Sequence, residues 1–123
     1  MKLPQEPVRV QGDQAHLRRL FFNLINNAIK FTPREGRIGL EVARNGRNVR
    51  VAVSDNGVGI PEEYQHKIFE RFFHNNPDPD DDAGNGLGLS IAQSIAKIHA
   101  GDIQVKSAVG RGSTFTVRLP LLN

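Results

Sequence analysis

The chain has 123 residues, with 16 Lys and Arg against 13 Asp and Glu, a net charge of +3 and a pI near 9.7. That length suits one domain burying roughly two-thirds of its unfolded surface. The absence of cysteine excludes disulfides, thiolate metal sites and cysteine nucleophiles, and permits a reducing compartment. The basic residues are scattered singly, so no nucleic-acid partner is expected, whereas a modest positive excess suits a small polyanion such as a nucleoside triphosphate. The start, "MKLPQEPVRV", has no apolar leader core, and no stretch approaches the roughly 18 apolar residues of a membrane helix; the fragment is expected to be soluble and monomeric.

"PVRVQG" alternates briefly and predicts a short first strand. Asp13 can then cap a helix in which Leu17, Leu20, Phe21, Leu24, Ile25, Ala28 and Ile29 recur at three- and four-residue steps, one buried stripe of a 3.6-residue period. Asn23, Asn26, Asn27 and Lys30 gather on a second stripe. Each Asn costs up to about 0.7 kcal/mol relative to Ala in a helix interior, so three of them on one face call for a reason. "FTP" ends this helix, because a residue before proline avoids the α region.

"RIGLEVARNGRNVRVAVSD" reads as two strands joined at Asn45-Gly46, a dipeptide that favours a type I′ turn. "PEEYQHKIFERFF" predicts a shorter helical piece with Pro61 at its first position. "HNNPDPDDDAGNG" carries nothing apolar larger than Ala83 and reads as a lid or insert. Helical spacing returns through Leu87, Ile91, Ile95 and Ile98, with Gly101 placed to close the helix, and two last strands surround a glycine turn in "DIQVKSAVGRGSTFTVRLPL". The expected class is α+β in two layers, a mixed sheet covered on one face by about three helices.

Two glycine-rich stretches carry chemistry. "VAVSDNGVGIP" sets Asp55 just past a strand, followed by Gly57 and Gly59, where a carboxylate can accept from a flat ligand such as an adenine amine. "GNGLGLSIA" brings Gly84, Gly86 and Gly88 to the mouth of a helix, whose free N–H groups and macrodipole favour phosphate. It is neither a P-loop nor a dinucleotide-fold pattern.

Taken together and in this order, these stretches resemble the ATP-binding catalytic domain of sensor histidine kinases, in the superfamily of gyrase-type, Hsp90-type and MutL-type ATPases (the Bergerat fold). The resemblance spans about residues 8 to 120: "NLINNAIKFTP" is similar to the N box, "DNGVGI" to the first glycine box, "IFERFF" to the F box and "GNGLGLSIA" to the second glycine box. It implies a bacterial, cytoplasmic catalytic domain that binds ATP and Mg²⁺ and passes the γ-phosphoryl group to a histidine. It further implies that Asn27 ligates Mg²⁺ and Asn23 lines the same site, since Mg²⁺ takes hard oxygen ligands. Lys30 would reach the phosphates, and Phe31 would stand near the nucleotide or in the core. Asp55 would accept from the adenine amine, with Gly57 and Gly59 admitting the base beside Ile60, and Thr114 supporting the contact. Gly84, Gly86, Leu87, Gly88 and Leu89 would form the hinge of a lid over about residues 74–87 and the phosphate-facing helix start.

One departure stands out: His74 occupies the place of the family's phosphate-contacting arginine, a role that Arg71 could share. Asn23 also stands where hydrolases and serine kinases of the superfamily usually carry a glutamate base, which favours transfer to histidine, whose neutral imidazole needs no base. None of His16, His66, His74 and His99 precedes an acidic residue as the family's phosphoacceptor does. The chain is therefore expected to be an excised catalytic domain. Its acceptor would lie on the parent kinase's dimerisation domain, whether or not that parent is membrane-anchored, and a response regulator would act downstream. The alternatives are a non-catalytic ATP-binding module of the same fold and an anti-sigma-type serine kinase.

Overall fold

The computed structural model describes residues 10, 12–70 and 88–121. Most of the expected first strand and the expected lid, with Arg71, His74, Gly84, Gly86 and Leu87, lie outside the described residues. The order is α1 (Gln14–Phe31), β1 (Ile38–Asn45), β2 (Asn48–Asp55), α2 (Glu62–Gln65), α3 (Gly88–Ile98), β3 (Asp102–Ala108) and β4 (Gly112–Pro120). The strands form one sheet in the order β1-β2-β4-β3. Among the described residues every pairing is antiparallel, so the parallel component of the expected mixed sheet is not found there.

The register builds the core in rows across the sheet. Val42, Val51, Val117 and Ile103 align in one row, and Leu40, Val53, Phe115 and Val105 in the next. These side chains share the face that α1 and α3 cover, and full burial of each is worth roughly 1.5–3 kcal/mol. The third row, Ile38, Asp55, Ser113 and Ser107, turns polar at the end of the same face.

Asp13 caps α1 as expected, its side chain accepting the His16 N–H at 3.0 Å. That bond holds the Asp13 carboxyl below the ordinary carboxylate range, so what the cap contributes is present above the unfolded-state value and is lost as pH falls through the lowered one. The Asp13 N–H in turn donates to His99 Nε2 at 3.1 Å while His99 Nδ1 lies 2.8 Å from the Ile95 carbonyl. A carbonyl only accepts, so the ring is the Nδ1–H tautomer, tying the start of α1 to the end of α3.

The expected buried stripe of α1 is too wide. Leu20, Leu24 and Ala28 are buried, but Ile25 is 37 % and Ile29 57 % exposed. The helix packs on α3 and β2, and by helical spacing these two side chains lie on the opposite flank from Asn23, whose amide bonds Gly88 at the start of α3. Similarly Ile98 is exposed, and α3 buries the small residues Ala92 and Ala96 with Ile95, which lets the two helices approach closely.

Three local expectations are corrected. Asn45 pairs with Asn48, so the hairpin turn is centred on Gly46-Arg47, with positive φ only at Gly46; that is the pattern of a type II′ turn, not I′. Pro61 is the cap of α2, not its first residue, and the helix ends after four residues. Beyond it the chain turns so that Ile68 is buried and Phe69 meets Phe115 edge to face, with ring centroids 6.3 Å apart. At the end of α3 the left-handed residue is Ala100 (φ 62), not Gly101. Gly101 N–H donates to the Ala96 carbonyl and Ala100 N–H to that of Lys97, a Schellman motif with alanine at its strained position. Glycine is needed at 101 for another reason: a Cβ there would strike the carbonyl of Arg118 in β4.

Relieving the strain at Ala100 should stabilise the protein. Because an L-residue in the left-handed region costs roughly 1–2 kcal/mol, partly offset by glycine's greater unfolded-state entropy, Ala100→Gly is expected to add about 0.5–1 kcal/mol. Urea unfolding measures it, and a loss of stability would contradict the left-handed assignment.

Candidate functional site: a carboxylate and an amide stripe beside the end of the sheet

Asp55 is the last residue of β2 and is 9 % exposed. Its Oδ1 accepts the Gly57 N–H at 2.9 Å, which fixes the carboxylate at the end of the polar row and leaves Oδ2 for a ligand. Its neighbour across the β2–β4 pairing is Ser113, 7 % exposed. Thr114, the residue expected to support Asp55, faces the other side of the sheet, where its hydroxyl lies 3.1 Å from that of Ser54. Strand alternation dictates this: Phe115, Val117 and Leu119 point to the core, so Ser113 does too and Thr114 does not. The core parity of "STFTVRL" was the signal that could have identified Ser113 from sequence.

The first glycine box is a fixed loop. Asn56 exchanges backbone and side-chain bonds with Arg37, Val58 N–H donates to the Phe31 carbonyl at the end of α1, and the Val58 carbonyl accepts from Gly110 N–H. Ile60 N–H donates to Ser107 Oγ at 2.7 Å, and Gln65 uses its amide nitrogen to bond the carbonyls of Ile60 and Ser107, both at 2.9 Å. The two glycines serve this packing. A Cβ on Gly57 would strike the Phe31 carbonyl, and one on Gly59 (φ 76) that of Ala108. Glycine is therefore required here by the protein's own backbone, not only by a ligand's approach. Gln65 and Ser107 carry no such sequence signal, since polar residues on a helix and a strand show no spacing until the fold brings them together.

On α1, Asn23 and Asn27 are half-buried one turn apart, and Asn26 is exposed. Asn23 Nδ2 donates to the carbonyl of Gly88, the first residue of α3, at 3.2 Å. The amide stripe thus faces the start of the helix in the second glycine box, and Asn23 Oδ1 is left as an acceptor. Leu89 packs against the core rather than into a cleft. Lys30 Nζ lies 5.1 Å from the Phe31 ring centroid, a cation–π contact at the end of the same stripe, and Phe31 is half-buried. Among the described residues no cluster of three His, Cys, Asp or Glu side chains could hold a metal, so a cation here would need neutral amide oxygens completed by a ligand's own oxygens. Asn23 and Asn27 fit that donor set, which suits Mg²⁺ with phosphates and not zinc.

A two-layer fold with a carboxylate at a sheet end and asparagines facing a glycine-started helix defines the class. Residues 12–123 match the family described as histidine kinase-, DNA gyrase B- and HSP90-like ATPase, and the chain belongs to it. The sensor-like histidine kinase SenX3 of Mycobacterium tuberculosis is 43 % identical over 116 residues, 94 % of this chain and 28 % of that protein. A histidine kinase of Formosa agariphila is 41 % identical over 93 % of this chain and 9 % of its own length. The chain thus spans under a third of these relatives. Among solved structures, the mycobacterial sensor histidine kinase MprB superposes with a TM-score of 0.85 at 30 % identity, covering 98 % of this chain and 82 % of that one. Full-length ShkA in complex with AMPPNP superposes at 0.82 with 28 % identity, covering 99 % of this chain and 25 % of ShkA.

The Asn23 tie can be tested without ligand. Asn23→Asp loses the donor and sets a carboxylate against the Gly88 carbonyl, so the nucleotide-free protein is expected to lose about 1–3 kcal/mol. Thermal or urea unfolding in chelator reads it, and unchanged stability would show that the amide does not join α1 to α3.

Proposed function

We propose that this domain binds Mg-ATP and delivers the γ-phosphoryl group to a histidine on a separate dimerisation domain of a parent kinase, from which a response regulator is then phosphorylated. The observation that carries the reading is the placement of Asp55, buried and oriented by Gly57, at the sheet end, with the Asn23–Asn27 stripe beside the start of α3. Asp55 Oδ2 accepts from the exocyclic amine of adenine. Asn27 and Asn23 are the residues that would hold the cation through their amide oxygens, and it would supply charge neutralisation to the phosphates. Lys30, at the end of the stripe, adds positive charge.

General-base hydrolysis finds no support at Asn23, because an asparagine amide does not take up a proton. With a histidine acceptor, whose imidazole is nucleophilic when neutral, positioning and charge neutralisation suffice. His99 is engaged at both ring nitrogens, and none of the four histidines precedes an acidic residue, which supports an acceptor on another domain.

Asp55→Asn tests the purine contact while keeping an oxygen for Gly57 N–H. Wild-type affinity for ADP is expected in the micromolar range, about −7 kcal/mol. Removing a charge-assisted bond worth roughly 1.5–3 kcal/mol should weaken it about 10- to 100-fold in calorimetry, with little change in stability. Phosphotransfer is tested with labelled ATP and a supplied dimerisation domain. Asn27→Ala should abolish transfer and His16→Ala should not; ADP binding with no transfer by wild type would instead identify a non-catalytic nucleotide module.

A further inference from the structure

Ser107 is the hub of the polar row, and counting its protons gives the direction of every bond it makes. A serine hydroxyl has one proton and accepts at two lone pairs. Ser107 Oγ accepts from Ile60 N–H at 2.7 Å, lies 2.9 Å from the Gly112 carbonyl and 2.7 Å from Ser113 Oγ. The carbonyl cannot donate, so the Ser107 proton goes to Gly112. The bond between the two serines must therefore be donated by Ser113.

That assignment leaves Ser113 without a proton for its other neighbour in the row, Asp55, whose Oδ1 already accepts from Gly57 N–H. Two buried acceptors, the Ser113 hydroxyl oxygen and the Asp55 carboxylate, then stand side by side at the sheet end. Directly opposed residues in an antiparallel pair have Cβ atoms about 4.5–5.5 Å apart, close enough for one amino group to donate to both. A 6-oxo group in the same place would meet lone pairs.

We propose that Ser107 is a positioning residue that holds the Ser113 hydroxyl turned away from Asp55, and that this orientation makes the site prefer a purine with an exocyclic amine over a 6-oxopurine. Ser107 itself touches no ligand. The inference rests on the ATP-binding reading above and adds to it a determinant of base choice. With Ser107 gone, the Ser113 proton is free to swing either to the Asp55 carboxylate, where it occupies one acceptor, or to a 6-oxo group, to which it then donates.

The experiment is a double-mutant cycle read as the ratio of ADP to IDP affinities by calorimetry. Ser107→Ala is expected to narrow the ratio about tenfold, the size of one to two redirected hydrogen bonds, while Ser107→Thr, which keeps the hydroxyl, preserves it. In a Ser113→Ala background the Ser107 substitution should change the ratio no further, because its effect passes through the Ser113 proton. Should Ser107→Ala unfold, Ser107→Cys, a near-isostere with only a weak hydrogen-bonding thiol, gives the same comparison. A ratio unchanged by Ser107→Ala, or changed equally in the Ser113→Ala background, overturns the proposal while leaving ATP binding intact. Wild-type protein that binds neither nucleotide overturns both.

Discussion

A slip of one residue in the pairing of an antiparallel strand would turn every side chain of that strand to the opposite face. In this sheet the register that aligns Leu40, Val53, Phe115 and Val105 also aligns Asp55, Ser113 and Ser107 one row further on. Each buried apolar side chain contributes roughly 1.5–3 kcal/mol, against about 1 kcal/mol for a typical net hydrogen bond. The core therefore decides the register, and the polar row inherits its position. A site built this way needs no strong interaction of its own to stay in place.

The loop from Asn56 to Pro61 is held on the same principle. Its backbone groups bond to Arg37, Phe31, Gly110 and Ser107, contributed by the ends of α1 and β1 and by the β3–β4 hairpin. Two glycines permit the close approach, since the Phe31 and Ala108 carbonyls occupy the space their side chains would take. The rigidity that results is what a carboxylate needs if it is to face a ligand in one orientation while nine-tenths buried.

Much of this was legible in the sequence because it depends on neighbours along the chain. The cap at Asp13, the stop at Thr32-Pro33, the amide stripe and the two hairpins follow from spacings of a few residues. What was not legible depends on partners brought in by the sheet. Whether Ile25, Ile29 and Ile98 are buried depends on where α3 and β1 lie, not on helical period. Ala100 takes the left-handed position while the glycine at 101 serves clearance from Arg118, so the glycine signal appears one residue late. The expectation for Thr114 followed a motif, whereas the alternation of Phe115, Val117 and Leu119 sets Ser113 on the face that Asp55 shares.

Asn23 shows how one residue can satisfy fold and chemistry together. Glutamate would suit the helix better and could serve as a base, yet a carboxylate has no proton to give the Gly88 carbonyl and would stand against it. An amide has two ends: the nitrogen fastens the start of α3 to α1, and that bond aims the oxygen away from Gly88. The same tie that limits this position to a donor therefore removes the option of general-base catalysis. In this chain one hydrogen bond both packs two helices and fixes the side-chain chemistry at position 23.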